Sequence, residues 1–215
     1  LHRYPEIANV GSPLRPGIVH RLDIGTTGVL VVARTDQAYA GLSAAFAERR
    51  VQKTYLAIVY GAPRGPEGTI DKPIVRHPRE RRKMTVSPRG REAVTHYRVL
   101  ASSDGLSLLS VVIETGRTHQ IRVHLKSENL PIVGDPLYGE ARWKGHPPRR
   151  RSLLQSFERP ALHAHTVELQ HPTTSEALRL EAPIPEDLRD LWHGLFEGAL
   201  ASAMPESVGS AEDGG

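Results

Sequence analysis

The stretches AVTHYRVL (Ala93 to Leu100) and LSLLSVVIE (Leu106 to Glu114) constrain the fold more than any other part of the chain. Both are rich in strand-forming residues, and the link between them carries Ser-Ser-Asp-Gly. So short a link cannot hold a crossover helix, so the two must be antiparallel neighbours in one sheet. VLVVA (Val29 to Ala33) and KTYLAIVYG (Lys53 to Gly61) read as buried strands, and HAHTVELQHP with EALRLEAPIP alternates like a hairpin. The basic segment from Lys83 to Val86 reads as a hairpin arm turned at SPRG.

Three helices are expected. In DQAYAGLSAAFAERR, Asp36 is the expected cap, and Ala38, Leu42, Ala45 and Phe46 share one face. In THQIRVHLKSEN, Thr118 is the expected cap, with Ile121 and Leu125 on one side. PEDLRDLWHGLFEGAL closes the chain with Pro185 at its start. Strands adjacent in sequence with few helices between them predict an α+β fold, a largely antiparallel mixed sheet flanked by helices and loops. One domain is expected over residues 1–200, with a disordered tail over 201–215.

The chain contains no Cys, which excludes disulfides, zinc thiolate sites and Cys nucleophiles and fits the reducing cytoplasm. No apolar run is long enough to span a membrane. The start, LHRYPEIANV, lacks an initiator Met and an apolar signal core, so export is not expected and the chain reads as the interior of a longer one. The net charge of +4 is unevenly placed. Arg76 to Arg91 holds seven Lys/Arg against one Glu, and Arg142 to Arg151 holds five and no acid. Two such runs point to a polyanion, most simply nucleic acid, with solvated loops as the plainer reading.

Three polar clusters stand at element ends: HRLD before VLVVA, GRTHQIRVH (Gly116 to His124) and VGDPLYG (Val133 to Gly139). A carboxylate such as Asp23 beside core residues needs a partner, and Arg21, Arg117 and Arg122 are the candidates. Pairing with arginine favours a charged carboxylate, which suits a nucleophile or charge stabiliser rather than a general acid. A structural salt bridge is the plainer alternative. His119, His124, His163 and His165 match no metal signature, so no metal is expected. They are expected to hydrogen-bond locally or meet phosphate, and the GRTHQ turn offers backbone N–H groups to a phosphate. Lys53, Tyr55 and Ala57 fall on one strand face, where Tyr55 can stack on a base or be an ordinary core residue.

HRLD followed by TTG, then KTYLAIV, GRTHQIRVHL and GDPLYG in this order, resemble the RluA/RluD-type pseudouridine synthases, which isomerise uridine in RNA. The resemblance runs from Gly17 to the closing helix and is nearest the branch acting on large-subunit ribosomal RNA. It implies Asp23 as the catalytic aspartate, Tyr55 as the tyrosine packing on the target base, and Arg122 as the partner of the aspartate. Arg21 would hold the target nucleotide out of the RNA stack, and His20, Arg82, Lys83, Arg117 and His119 are expected RNA contacts. Members usually carry an earlier strand with a Lys-Pro-Ala-Gly-like turn, and many begin with an S4-type domain; neither stands in this chain.

The implied chemistry suits the residues. Breaking N1–C1′, turning the uracil and joining C5 to C1′ adds nothing and changes no oxidation state, so no cofactor is expected. A glycoside hydrolase generally needs two carboxylates, whereas here one stands out. Asp23 can attack C1′ or C6, or stabilise charge at C1′. The base must be flipped from its stack, and basic arms offset that cost through phosphate contacts. RNA is therefore the expected partner, the chain a monomer without membrane contact, and transfer RNA or a purely RNA-binding module the alternatives.

Overall fold

The computed structural model describes residues 2–196. Two short strands, β1 (Gly11–Ser12) and β2 (Arg15–Pro16), pair as a small hairpin, and β3 (Thr27–Gly28) follows. Helix α1 (Asp36–Ala47) leads to β4 (Gln52–Tyr60) and β5 (Glu67–Asp71). A hairpin of β6 (Ile74–Arg76) and β7 (Met84–Val86) precedes the long strands β8 (Val94–Ser103) and β9 (Leu106–Ile113). Helices α2 (Gln120–Ser127) and α3 (Pro148–Ser156), strands β10 (Leu162–Gln170) and β11 (Ala177–Glu181) and helix α4 (Glu186–Leu195) complete the described chain.

The main sheet runs β11-β10-β4-β9-β8-β5 with β3 added against β10. Every pairing along that path is antiparallel, and only β3 runs parallel to its neighbour. The fold is thus α+β with a mixed, largely antiparallel sheet. β4 lies centrally and is buried on both faces from Tyr55 to Tyr60, as the unbroken apolar run Tyr55-Leu-Ala-Ile-Val requires. β8 and β9 form the hairpin anticipated from their link, turned at Asp104 and Gly105. The core joins β4 and β9 to α2 and α4, with Leu125, Ile132 and Leu195 fully enclosed. Among the described residues no helix is long and apolar enough to cross a membrane.

Four local expectations are corrected. VLVVA is not a buried strand: Leu30 and Val32 are 46% and 37% exposed, and only Ala33 is fully buried. Its N–H groups go to scattered acceptors, Val29 to Ala164, Val31 to His20 and Ala33 to Gly17, because β11 already occupies the edge of β10 beyond Ala164. Helix α1 is capped by Thr35, whose hydroxyl accepts from the Ala38 N–H, and Asp36 is its first residue. Helix α2 starts after His119 rather than Thr118, and His119 is left-handed (φ 57°) with no side-chain cap bond. The basic hairpin turns at residues 77–83, while SPRG makes a second turn beyond β7, closed by Gly90 N–H to Ser87 O at 2.9 Å. The expected closing helix is present to Leu195; its last residues and the 201–215 tail lie outside the described residues.

Candidate active site

The loop from His20 to Gly28 is tied down on both sides. Val31 N–H donates to His20 Nε2 at 2.8 Å, and the His20 ring stacks on Phe46 with centroids 4.7 Å apart. On the other side β3 joins β10, and Thr27 Oγ1 lies 2.9 Å from His163 Nδ1. Gly28 makes this closure possible: its φ is 123°, and a Cβ there would sit 2.1 Å from the Ala164 carbonyl oxygen. Between the ties, Thr26 N–H donates to Asp23 O at 3.0 Å, a tight turn that Gly25 completes with φ 81°. The turn aims Asp23 into a cleft of about 510 Å³.

Arg122 meets Asp23 there. From buried helix α2, its Nη1 donates to Asp23 Oδ2 at 3.3 Å. The stronger contact is with Asp135: Nε to Oδ2 at 2.7 Å and Nη2 to Oδ1 at 2.8 Å, a two-point pair. The Asp135 side chain is fully enclosed and Arg122 nearly so, while Asp23 is 16% exposed. Asp135 is itself oriented by the Leu137 and Tyr138 N–H groups, at 2.9 and 3.0 Å. Burial opposes the Arg122 charge, but Asp135 and Asp23 outweigh it and push its pKa further up. The Tyr138 ring lies under the guanidinium, 5.0 Å from its centroid. One buried guanidinium therefore joins HRLD, GRTHQIRVH and VGDPLYG, and leaves Asp23 as the solvent-facing end of the network.

Tyr55 lines the same cleft from β4. Burial, and then the charge of Asp23, push its hydroxyl up to about 12, so it is a neutral phenol at physiological pH. The loop before α2 is closed internally by Gln120, whose Oε1 accepts from Thr115 Oγ1 at 2.7 Å and Arg117 N–H at 3.1 Å. Its Nε2 donates to Val94 O and Thr95 Oγ1.

The expected site residues separate into groups. Asp23, Tyr55, Arg122, Arg21, His20 and Arg117 all line the cleft. Arg21 is exposed and has no ion-pair partner among the described residues. Arg117 Nε donates to Glu92 O at 2.9 Å. His20 is pushed down to about 4 by burial and then by the charge of Lys53, so its ring is neutral and serves the loop. His119 sits behind the cleft, its Nδ1 2.8 Å from Tyr138 Oη. Arg82 and Lys83 stand away on the β6–β7 turn, Lys83 paired with Glu80 at 2.8 Å. His124 hydrogen-bonds locally, to Thr95 Oγ1 and Lys72 O, both at 2.9 Å. Asp135 lies in the VGDPLYG cluster, but the sequence alone assigns it no role. The signal available was an acid set in the apolar run PIVGDPLY, where only a buried partner makes it tolerable. Among the described residues no cluster of three His, Asp or Glu side chains converges as a metal site would require.

The chain has recognisable relatives. The RNA pseudouridylate synthase family model matches residues 6–127. A Xanthomonas campestris protein named ribosomal large subunit pseudouridine synthase D is 48% identical over 205 residues, covering 94% of this chain and 61% of the relative. The Escherichia coli protein of the same name is 43% identical, covering 89% of this chain and 58% of its own length. The chain thus spans less than two thirds of these relatives. The solved structure of human RNA pseudouridylate synthase domain containing 1 superposes with a TM-score of 0.68 at 32% identity, covering 83% of this chain and 73% of that one.

Proposed function

The chain belongs to the RNA pseudouridylate synthase family, and we propose that it isomerises specific uridines to pseudouridine in RNA, with large-subunit ribosomal RNA as substrate. The observation that carries this reading is Asp23, a carboxylate presented to the cleft by a guanidinium that a second, enclosed carboxylate holds in place. The choice of ribosomal RNA follows from the names of the relatives.

In this reading a flipped uridine enters the cleft with C1′ towards Asp23. The N1–C1′ bond breaks, the uracil turns within the pocket, C5 joins C1′, and the hydrogen on C5 is lost while N1 regains one. Asp23 acts at the sugar or the base, and Arg122 fixes its direction and disperses its charge. Tyr55 packs on the base as a neutral phenol and so adds no charge beside Asp23. The exposed Arg21 fills the gap left by the flipped nucleotide. Arg117 and the basic turn with Arg82 and Lys83 meet phosphates, and His119 steadies the wall behind Arg122. The chain acts as a cytoplasmic monomer without cofactor.

Carbodiimide labelling with primer extension tests the reading on unmodified large-subunit ribosomal RNA and transfer RNA. Stops on ribosomal RNA made by the wild type and absent with Asp23→Asn support it. Stops on transfer RNA alone keep the chemistry and overturn the substrate. Stops on neither RNA contradict the enzymatic reading.

A further inference from the structure

Lys53 is a largely buried lysine whose ammonium opens on the cleft without a counter-charge. Its residue is 9% exposed, yet it lines the cleft. Among the described residues its ammonium has no hydrogen-bond acceptor and no carboxylate within ion-pair distance; its close neighbour is the Phe46 ring, 5.8 Å from centroid to Nζ. The two acids of the cleft are committed elsewhere, Asp23 to Arg122 and Glu114 to His96 at 2.7 Å. His20 cannot neutralise it either, because its Nε2 already accepts from Val31. Burying an unpaired ammonium is costly, and such a group normally finds a partner or loses its proton. Burial does pull the Lys53 pKa down from its ordinary value.

Its position says what the missing partner is. Lys53 and Tyr55 alternate on one face of β4, so their backbones stand roughly 6.6 Å apart along the strand. Tyr55 in turn feels the charge of Asp23. Lys53, Tyr55 and Asp23 thus share one cleft, with Lys53 on the side of Tyr55 nearer the start of β4. Outside it, three guanidiniums, Arg49, Arg91 and Arg117, line the rim, with Arg49 paired to Glu92 at 3.0 Å and Glu114 held by His96. Burial and then the neighbouring charges of Arg91 and Arg49 hold the Arg117 pKa down, a cluster with more cation than it can satisfy internally. A polyanion entering past this rim reaches Lys53 next.

We infer that Lys53 is a phosphate-binding residue, whose ammonium takes one of the two phosphodiesters flanking the target nucleotide inside the cleft. The inference rests on the functional reading above. Lys53 thereby anchors the backbone while Asp23 acts on the sugar, and the unpaired charge of the free protein is satisfied only in the complex.

The test uses a ribosomal RNA fragment containing a uridine that the wild type converts, made with a neutral methylphosphonate on the 5′ or the 3′ side of that uridine. Affinity is measured on the Asp23→Asn background, with and without Lys53→Met. The expected result is that one of the two neutral linkages weakens binding about tenfold, as loss of a charge-assisted bond does. Lys53→Met should weaken the all-phosphate RNA similarly, be indifferent to that linkage, and lower the salt slope by about one. Independent, multiplying losses from the linkage and the substitution overturn the inference, as does a neutral effect of both linkages. Failure of the wild type to convert any uridine in unsubstituted RNA overturns the functional reading instead, so the two failures are distinguishable.

Discussion

Arg122→Met separates what the buried guanidinium does for the fold from what it does for Asp23. Methionine keeps the apolar stem but deletes three hydrogen bonds: two to Asp135 at 2.7 and 2.8 Å and one to Asp23 at 3.3 Å. Asp23 is partly exposed and can turn to water. Asp135 cannot: its side chain is fully enclosed, and although the Leu137 and Tyr138 N–H groups still serve Oδ1, Oδ2 loses its partner. Breaking a buried pair from one side costs about 3–5 kcal/mol, which in a domain of this size lowers the melting temperature by about 6–20 °C. Adding Asp135→Asn removes the stranded charge and should restore about half or more of that loss. Turnover should not follow, because Asp23 still lacks Arg122. Melting curves and single-turnover pseudouridine assays on the two single variants and the double supply the cycle. A single variant melting within about 2 °C of wild type, against that range, refutes the energetic reasoning. A double variant with restored turnover refutes the role of Arg122 towards Asp23.

Three other outcomes are expected. Gly28→Ala forces a Cβ against the Ala164 carbonyl at 2.1 Å, so it should detach β3 from β10 and abolish turnover; hydrogen exchange at the Val29 amide should quicken, and full activity argues against that closure. His20 is held down to about 4 from 6.5, so the unfolded chain takes up its proton first and stability is lost as pH falls from 6.5 towards 4, by at most roughly 3–4 kcal/mol. His20→Gln, which keeps an acceptor for Val31, should flatten that part of the melting-temperature profile; an unchanged slope assigns it to other groups. EDTA should leave turnover unchanged, and loss of activity reversed by added metal contradicts the cofactor-free chemistry.

Where local pattern and tertiary structure agree, the sequence was readable. The β8–β9 and β10–β11 hairpins follow from short links and alternation, and α1, α2 and α4 from apolar spacing. VLVVA shows the limit: its composition is that of a core strand, but the sheet edge it would need is taken by β11. The SPRG turn misled because the basic residues before it, which carry no turn signature beyond Pro78, form the hairpin loop themselves. At the site, Asp23 and Arg122 stand out within motifs, but Asp135 hides in a sequence that reads as a turn. Its importance depends on a contact with Arg122 that spacing along the chain does not reveal. Lys53 is harder still, since a lysine at a strand end looks solvated until the walls around it are known.

The most direct test of the central claim is release of the C5 hydrogen. Forming the C5–C1′ bond expels that hydrogen, so ribosomal RNA made with 5-tritiated uridine reports the reaction itself. The account predicts that the wild type releases tritium to water, and that Asp23→Asn releases none while binding the same RNA with similar affinity. Equal release by the two proteins removes Asp23 from the chemistry and contradicts the account.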